Sequence, residues 1–292
     1  MIVIALFVLV WIGIGALLGE LVGGRSRSSA IVTGIVVAGV FAVGAALYAL
    51  LGGDRMVLAV SGARPADPTQ YQQLHNVVEE MALAAGLPKP AVYVIEDPSP
   101  NAFATGISPK RAAITATSGL LTTMNREELE GVISHEMSHI KNYDVRLILV
   151  VTTLIGFAAI LASVFWRAAF FVRPRGKDGE QVTIFIIAAA ALLSLVAVII
   201  GPLIQFALSR SREELADVSG ANLTRNPLGL MHALQKLQQN DKPFAKFNHA
   251  TASMCIDDPL QHHEGWFHRL FDTHPPLDER IAILQKIAAG QA

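Results

Sequence analysis

Four stretches of this chain are almost empty of charge: Ile2–Val22, Ala30–Gly52, Leu147–Trp166 and Thr183–Leu208, with only Glu20 inside one of them, near its end. Each has about the twenty residues that a helix needs to cross a bilayer. One such stretch fits the core helix of a soluble protein; four do not. The composition agrees, because 52% of the 292 residues are hydrophobic and 16% charged, against about 25% charged in an ordinary soluble domain. The first stretch lacks the basic start and small-residue cleavage site of a secretory signal, and a second stretch follows at once, so it reads as an uncleaved anchor. The expected organisation is four transmembrane helices at 2–22, 30–52, 147–166 and 183–208, separating polar blocks at 53–146 and 209–292.

A net charge of −1 gives no electrostatic case for nucleic acid. Cys255 is the single cysteine, so no internal disulfide framework exists. Charge bias does not orient the spans. Arg25, Arg27, Arg167, Arg173, Arg175 and Lys177 lie in the short loops, against Arg55, Arg64, Lys141, Arg146, Arg210 and Arg212 on the other side, six against six.

The first polar block mixes helix and strand signals. Asp67-Pro68 reads as an N-cap and first helical position, and Gly86 and Pro88 as the stop. Ala91–Glu96, Phe103–Ile107 and Ala112–Thr117 carry strand patterns. The second block reads as helices around Glu213, Leu228–Gln238 and Leu277–Ala288, with an irregular stretch over 239–276. The expected fold class is α+β, mainly helical.

The chemistry lies in His135-Glu136-Met137-Ser138-His139, an H-E-x-x-H pattern. Asn125 and Glu128 form a capping box ahead of it, and Leu129, Ile133, Met137 and Ile140 recur at helical spacing, with the three polar residues off that stripe and able to face a cleft. Four residues apart on a helix, the two imidazoles point at one spot. A catalytic zinc needs such a pair, a third protein ligand and an open position for water, and Glu136 stands where a general base is required. Downstream, Glu213 and Asp217 are also four apart: Glu213 as third ligand and Asp217 as the carboxylate that orients a histidine. Glu214 is the alternative ligand, but its partner at the same spacing is Val218. His139 precedes Leu147 by eight residues and Leu208 precedes Glu213 by five. The third and fourth spans are therefore expected to continue into the two ligand helices, with the metal on the order of 10 Å from the membrane surface and Pro202 kinking the fourth span. An intramembrane protease would hold its motif inside an apolar span, whereas Arg126, Glu127, Glu128, Glu130, Lys141 and Asn142 surround this one. A non-catalytic membrane scaffold is the rival from another class; a missing base or ligand would favour it, and none is missing.

With Asn101-Ala102-Phe103-Ala104-Thr105-Gly106 and Thr273-His274-Pro275-Pro276 in the same order and spacing, the chain resembles the HtpX-type membrane zinc peptidases, which belong to peptidase family M48 and are related to the CaaX-prenyl protease. The resemblance implies a gluzincin-like peptidase domain built from the two polar blocks. It implies a multi-pass endopeptidase of a bacterial cell membrane with its active site in the cytoplasm, acting on damaged or misfolded membrane proteins in quality control and stress response. One Zn2+ per chain would be held by His135, His139 and Glu213, with Asp217 behind them and Glu136 as base. Asn101, Ala102 and Phe103 would lie on an edge strand to which an extended substrate adds, and His274 is the candidate for stabilising the oxyanion or orienting groups that do. His262, His263 and His268 lack ligand spacing and read as solvated loop residues. Substrate identity and oligomeric state are not encoded in any of these motifs.

Overall fold

The computed structural model describes residues 2–22, 26–171, 176–195, 197, 201–239, 255–256 and 275–290. His262, His263, His268 and His274 lie outside the described residues. In chain order the elements are α1 (Ile2–Val22), α2 (Arg27–Val60), β1 (Arg64–Pro65), α3 (Gln72–Ala85), β2 (Ala91–Ile95), β3 (Ala102–Gly106), β4 (Ala112–Thr117), α4 (Ser118–Thr123), α5 (Arg126–Lys141), α6 (Asp144–Phe171), α7 (Gly176–Leu195), α8 (Gly201–Thr224), α9 (Pro227–Gln238) and α10 (Leu277–Ala288). The chain divides into one unit of Met1–Gly52 with Val150–Leu203 and a second of Gly53–Leu149 with Ile204–Ala292.

The first unit is helical. Gly15 and Gly19 of α1 meet Gly34 and Ala30 of α2 backbone to backbone, so that any Cβ at those glycines would strike the facing carbonyl. Small residues four apart allow this approach, as they do where membrane helices associate. Trp11, Ala38, Ala42, Ala158, Ala162 and Leu193 form the buried centre of the unit. Valines 32, 36, 37 and 40 of α2 are exposed. Among the described residues two helices, α2 and α6, are long and apolar enough to cross a bilayer, rather than the four expected. Among the described residues the apolar stretches of α1 and α7 are Phe7–Glu20 and Ile186–Leu195. Of the expected fourth span, Thr183–Leu208, the structure describes α7 to Leu195 and α8 from Gly201, residues 196 and 198–200 lying outside the described residues, and α8 runs on past Leu208 to Glu213 as expected. The helix that carries the expected 30–52 span, α2, begins at Arg27 and runs on through Asp54 and Arg55 to Val60.

The second unit is α+β. Its sheet has the order β1-β2-β4-β3, with β2 parallel to β4 and the other pairs antiparallel. Alanines 102, 104, 112, 113 and 116 of β3 and β4 are buried, and α5 packs against these two strands. The core joins Leu74, Val77 and Met81 of α3, Ile114 of β4, Leu129, Ile133, Met137 and Ile140 of α5, Leu230 and Leu234 of α9 and Leu284 of α10. The α3 start is later than expected. Asp67 accepts from the amides of Thr69 and Gln70, which makes a separate turn, and the helix proper begins at Gln72. The stop is as expected, with Gly86 in the left-handed conformation at φ 69°. The two-residue strand β1 and the single-turn helix α4 had no signal in the sequence pattern. The α5 capping box is present, with Asn125 accepting from the Glu128 amide at 2.9 Å and Glu128 accepting from the Asn125 amide at 2.8 Å.

Two glycines set how closely α5 and α9 cross. A Cβ at Gly131 would strike the Leu230 amide, and one at Gly229 would lie 2.6 Å from the Glu127 carbonyl oxygen. Overpacking of this kind costs about 1–3 kcal/mol. Gly131→Ala is therefore expected to lower the melting temperature of the purified protein, whereas Gly44→Ala, with open space at its Cβ, should change stability by no more than about 0.5 kcal/mol. Thermal unfolding of the two variants side by side checks this.

Candidate metal centre

Helix α5 is buried on nearly all sides from Glu128 to Ile140. His135, Glu136 and His139, off the apolar stripe, are nonetheless buried, at 1%, 2% and 6% exposed. Their neighbours supply the polarity that burial removes. His135 Nε2 and His139 Nε2 lie 3.1 Å apart, and the two oxygens of Glu213, from α8, lie 3.5 Å and 3.4 Å from them. Gly220 lets α8 come this close, because a Cβ there would already press on Ser134 Oγ and the His135 amide at 3.0 and 3.1 Å.

The remaining ring nitrogens are committed elsewhere. His135 Nδ1–H donates to Asp217 at 2.9 Å, and His139 Nδ1 lies 3.2 Å from Asp144 Oδ2. With Nδ1 protonated on each neutral ring, both Nε2 lone pairs and the Glu213 carboxylate converge on one point, and Arg280 Nη1 lies 3.5 Å from the Glu213 Oε2. That is a donor set for a cation. The separations match the edge of about 3.3 Å expected between ligands of a tetrahedral ion bound at about 2.0–2.1 Å. His135, His139 and Glu213 together meet the geometry of a metal site, so the residues present fit the implied ion.

Arg280 of α10 is wholly buried. Its Nε and Nη2 donate to the two Asp217 oxygens at 2.9 and 2.8 Å, and its Nη1 donates to the Ile256 carbonyl at 3.0 Å. Sequence reasoning missed this residue. A signal was there, since Arg280 lies on the face marked by Leu277, Ile281 and Leu284, where an unpaired arginine would not be tolerated. Asp144 was missed for a different reason. The α5 helix was expected to run on into the third span, and residues five apart on one helix do not share a face. In the structure Tyr143 takes a left-handed conformation at φ 60°, ends the helix and returns Asp144 to His139.

The residues expected to meet an extended substrate, Asn101, Ala102 and Phe103, lie at the start of β3, with Asn101 immediately before it. β3 is the last strand of the sheet, and the Ala104 amide hydrogen-bonds to the Glu136 carboxylate. Asn101, Ala102 and Phe103 are buried, however, and Phe103 points into an apolar cluster with Val57, Ile95, Leu149 and Cys255. The outer edge of β3 is not bare either. Phe103 bridges Cys255, and the Ile256 amide donates to the Ala102 carbonyl at 2.9 Å.

The charges are strongly coupled. Burial raises the Glu136 pKa, only partly offset by His135, His139 and the Ala104 amide. Burial alone would lower His135, but Asp217 and Glu213 more than reverse this. Burial would also lower His139, yet Asp144 and Glu213 hold it up to about 10. Burial works to raise Asp217, but Arg280 and His135 bring it below the usual carboxylate range.

A helix carrying H-E-x-x-H, a glutamate from a second helix closing the site, and a base beside it define a metallopeptidase. Residues 68–288 match peptidase family M48, and the chain belongs to that family. It is similar to the protease HtpX homologues of Caldanaerobacter subterraneus subsp. tengcongensis (45% identical over 260 residues, covering 88% of this chain and 85% of the relative) and Streptococcus gordonii (38% over 262 residues, 87% and 86%). The crystal structure of S. mikatae Ste24p shares the fold, with a TM-score of 0.51 at 18% identity. The likeness covers 82% of this chain but only 55% of that one.

Two outcomes follow for the centre. Arg280→Leu would leave Asp217 buried without its partner, and is expected to cost about 3–5 kcal/mol, seen as a fall in melting temperature. A metal ion must displace the histidine protons, so affinity is expected to fall as pH falls, and to keep rising with pH above the ordinary histidine range because His139 is held near 10. Calorimetric zinc titrations in buffers of different ionisation enthalpy would detect the released protons at pH 7.5; no release would contradict the assigned protonation.

Proposed function

We propose that this protein is a zinc-dependent endopeptidase of the HtpX type, anchored in a bacterial membrane by four spans with its catalytic residues on the cytoplasmic side, and cleaving damaged or misfolded membrane proteins. The observation that carries the reading is the convergence of His135 Nε2, His139 Nε2 and the Glu213 carboxylate beside a buried Glu136. Helices α2 and α6 support membrane insertion, and the apolar α1 and α7 support two further spans. The cytoplasmic orientation, the class of substrate and the choice of zinc rest on likeness to the HtpX proteases and on the donor set.

His135, His139 and Glu213 would hold the ion. When bound, zinc polarises the substrate carbonyl and lowers the pKa of water at its open position. Glu136 accepts the proton from that water and delivers it to the leaving amine; a raised pKa suits a group that must both take and return a proton. The Ala104 amide ties Glu136 to β3, so a peptide lying along that strand passes the base. Such a peptide uses the β3 edge beyond Phe103, or displaces Ile256 from the Ala102 carbonyl. Its contacts with Asn101, Ala102 and Phe103 are made through backbone, since those side chains are buried. His274 is kept as the proposed oxyanion partner from the resemblance alone.

The deciding experiment compares detergent-purified wild type with Glu136→Gln and Glu213→Ala, measuring zinc by elemental analysis and cleavage of unfolded casein. Glu136→Gln should retain zinc and lose about 10²–10⁴ in rate. Glu213→Ala should lose zinc and cleavage together. Wild-type cleavage by Glu136→Gln would reject the base, and full zinc in Glu213→Ala would reject the ligand. Wild type that binds zinc but cleaves nothing would revive the scaffold reading.

A further inference from the structure

The two metal-directed histidines are each backed by their own carboxylate, and each carboxylate by its own arginine. His135 leans on Asp217, which Arg280 grips with two hydrogen bonds. His139 leans on Asp144 through Oδ2, while Asp144 Oδ1 pairs with Arg212. The first relay is sealed, both partners being wholly buried. In the second, Asp144 is buried but the Arg212 side chain is 32% exposed.

The position of Arg212 matters more than its charge. It is the residue before Glu213 on α8, so the ion pair holds the turn that delivers the third ligand against the residue that orients the second. Asp144 reaches both because Tyr143 breaks the helix between α5 and α6. We infer that Asp144 and Arg212 are positioning residues for the metal centre: Asp144 sets the Nε2 lone pair of His139 toward the ion, and its ion pair with Arg212 holds the Glu213 turn in register with it. This rests on the metallopeptidase reading of the same site.

Removing a carboxylate that orients a ligating histidine typically costs 10–100-fold in metal affinity. The test measures zinc affinity by chelator competition, and the visible d–d absorption of the Co2+-loaded protein, for wild type, Asp144→Ala, Asp144→Asn, Arg212→Ala and Arg212→Lys. Asp144→Ala is expected to bind zinc about 10–100-fold more weakly and to shift the Co2+ bands. Asp144→Asn should fall between it and wild type, because an amide oxygen still accepts from Nδ1–H without the charge. Arg212→Ala should weaken zinc several-fold and Arg212→Lys should recover most of that loss. If Asp144→Ala does not fold, the asparagine and Arg212 variants decide. Wild-type affinity and an unchanged Co2+ spectrum across the variants, with only the melting temperature lowered, would make the pair merely structural and overturn the inference while leaving the peptidase intact. Wild type that takes up neither ion would sink both.

Discussion

Burial of ionisable groups on α5 is the constraint around which the second unit is arranged. An imidazole or carboxylate taken out of water loses its hydration, and the loss is tolerable only where charges and hydrogen bonds replace it. His135, Glu136 and His139 sit on a helix packed on nearly every side. Four elements outside α5 answer them: α8 with Glu213 and Asp217, α6 with Asp144, α10 with Arg280, and β3 with the Ala104 amide. Each partner comes from a different part of the chain, so the site exists only once the unit is assembled.

Small residues make that assembly possible. Gly131 and Gly229 bring α5 and α9 to backbone contact, and Gly220 brings α8 against the turn that bears His135. The alanines of β3 and β4 bring the sheet close enough for a strand amide to reach Glu136. In the first unit Gly15, Gly19 and Gly34 do the same for α1 and α2, where packing rather than the hydrophobic effect must hold helices together if lipid surrounds them.

The surroundings of Glu136 are equally closed. The β3 edge lies beside Glu136, yet part of it is already satisfied by Cys255 and Ile256. Arg280 joins that short bridge to the metal centre, since one guanidinium holds both the Ile256 carbonyl and Asp217. Strand pairing and histidine orientation therefore share one buried side chain.

Much of this was legible in the sequence. The H-E-x-x-H spacing places two imidazoles and a carboxylate on one helix, and the Glu213–Asp217 spacing puts a ligand and its support on another; both are consequences of helical periodicity. The capping box, the strands of the sheet and the helices α9 and α10 follow from equally local rules. Local rules also misled. Helical periodicity suggested that α5 runs unbroken into the third span, but α5 ends at Lys141 and α6 begins at Asp144, with Tyr143 in a left-handed conformation between them. The partners of Asp144 and Arg280 became visible only through the fold: Asp144 reaches His139, five positions before it, because α5 ends between them, and Arg280, although its place on the apolar face of α10 was a signal, pairs with Asp217 across 63 positions of chain. The kind of chemistry is thus set by short-range spacing, while the orientation of the histidines, the closing of the β3 edge and the balance of buried charge were decided by tertiary structure, which alone brings distant groups within hydrogen-bonding reach.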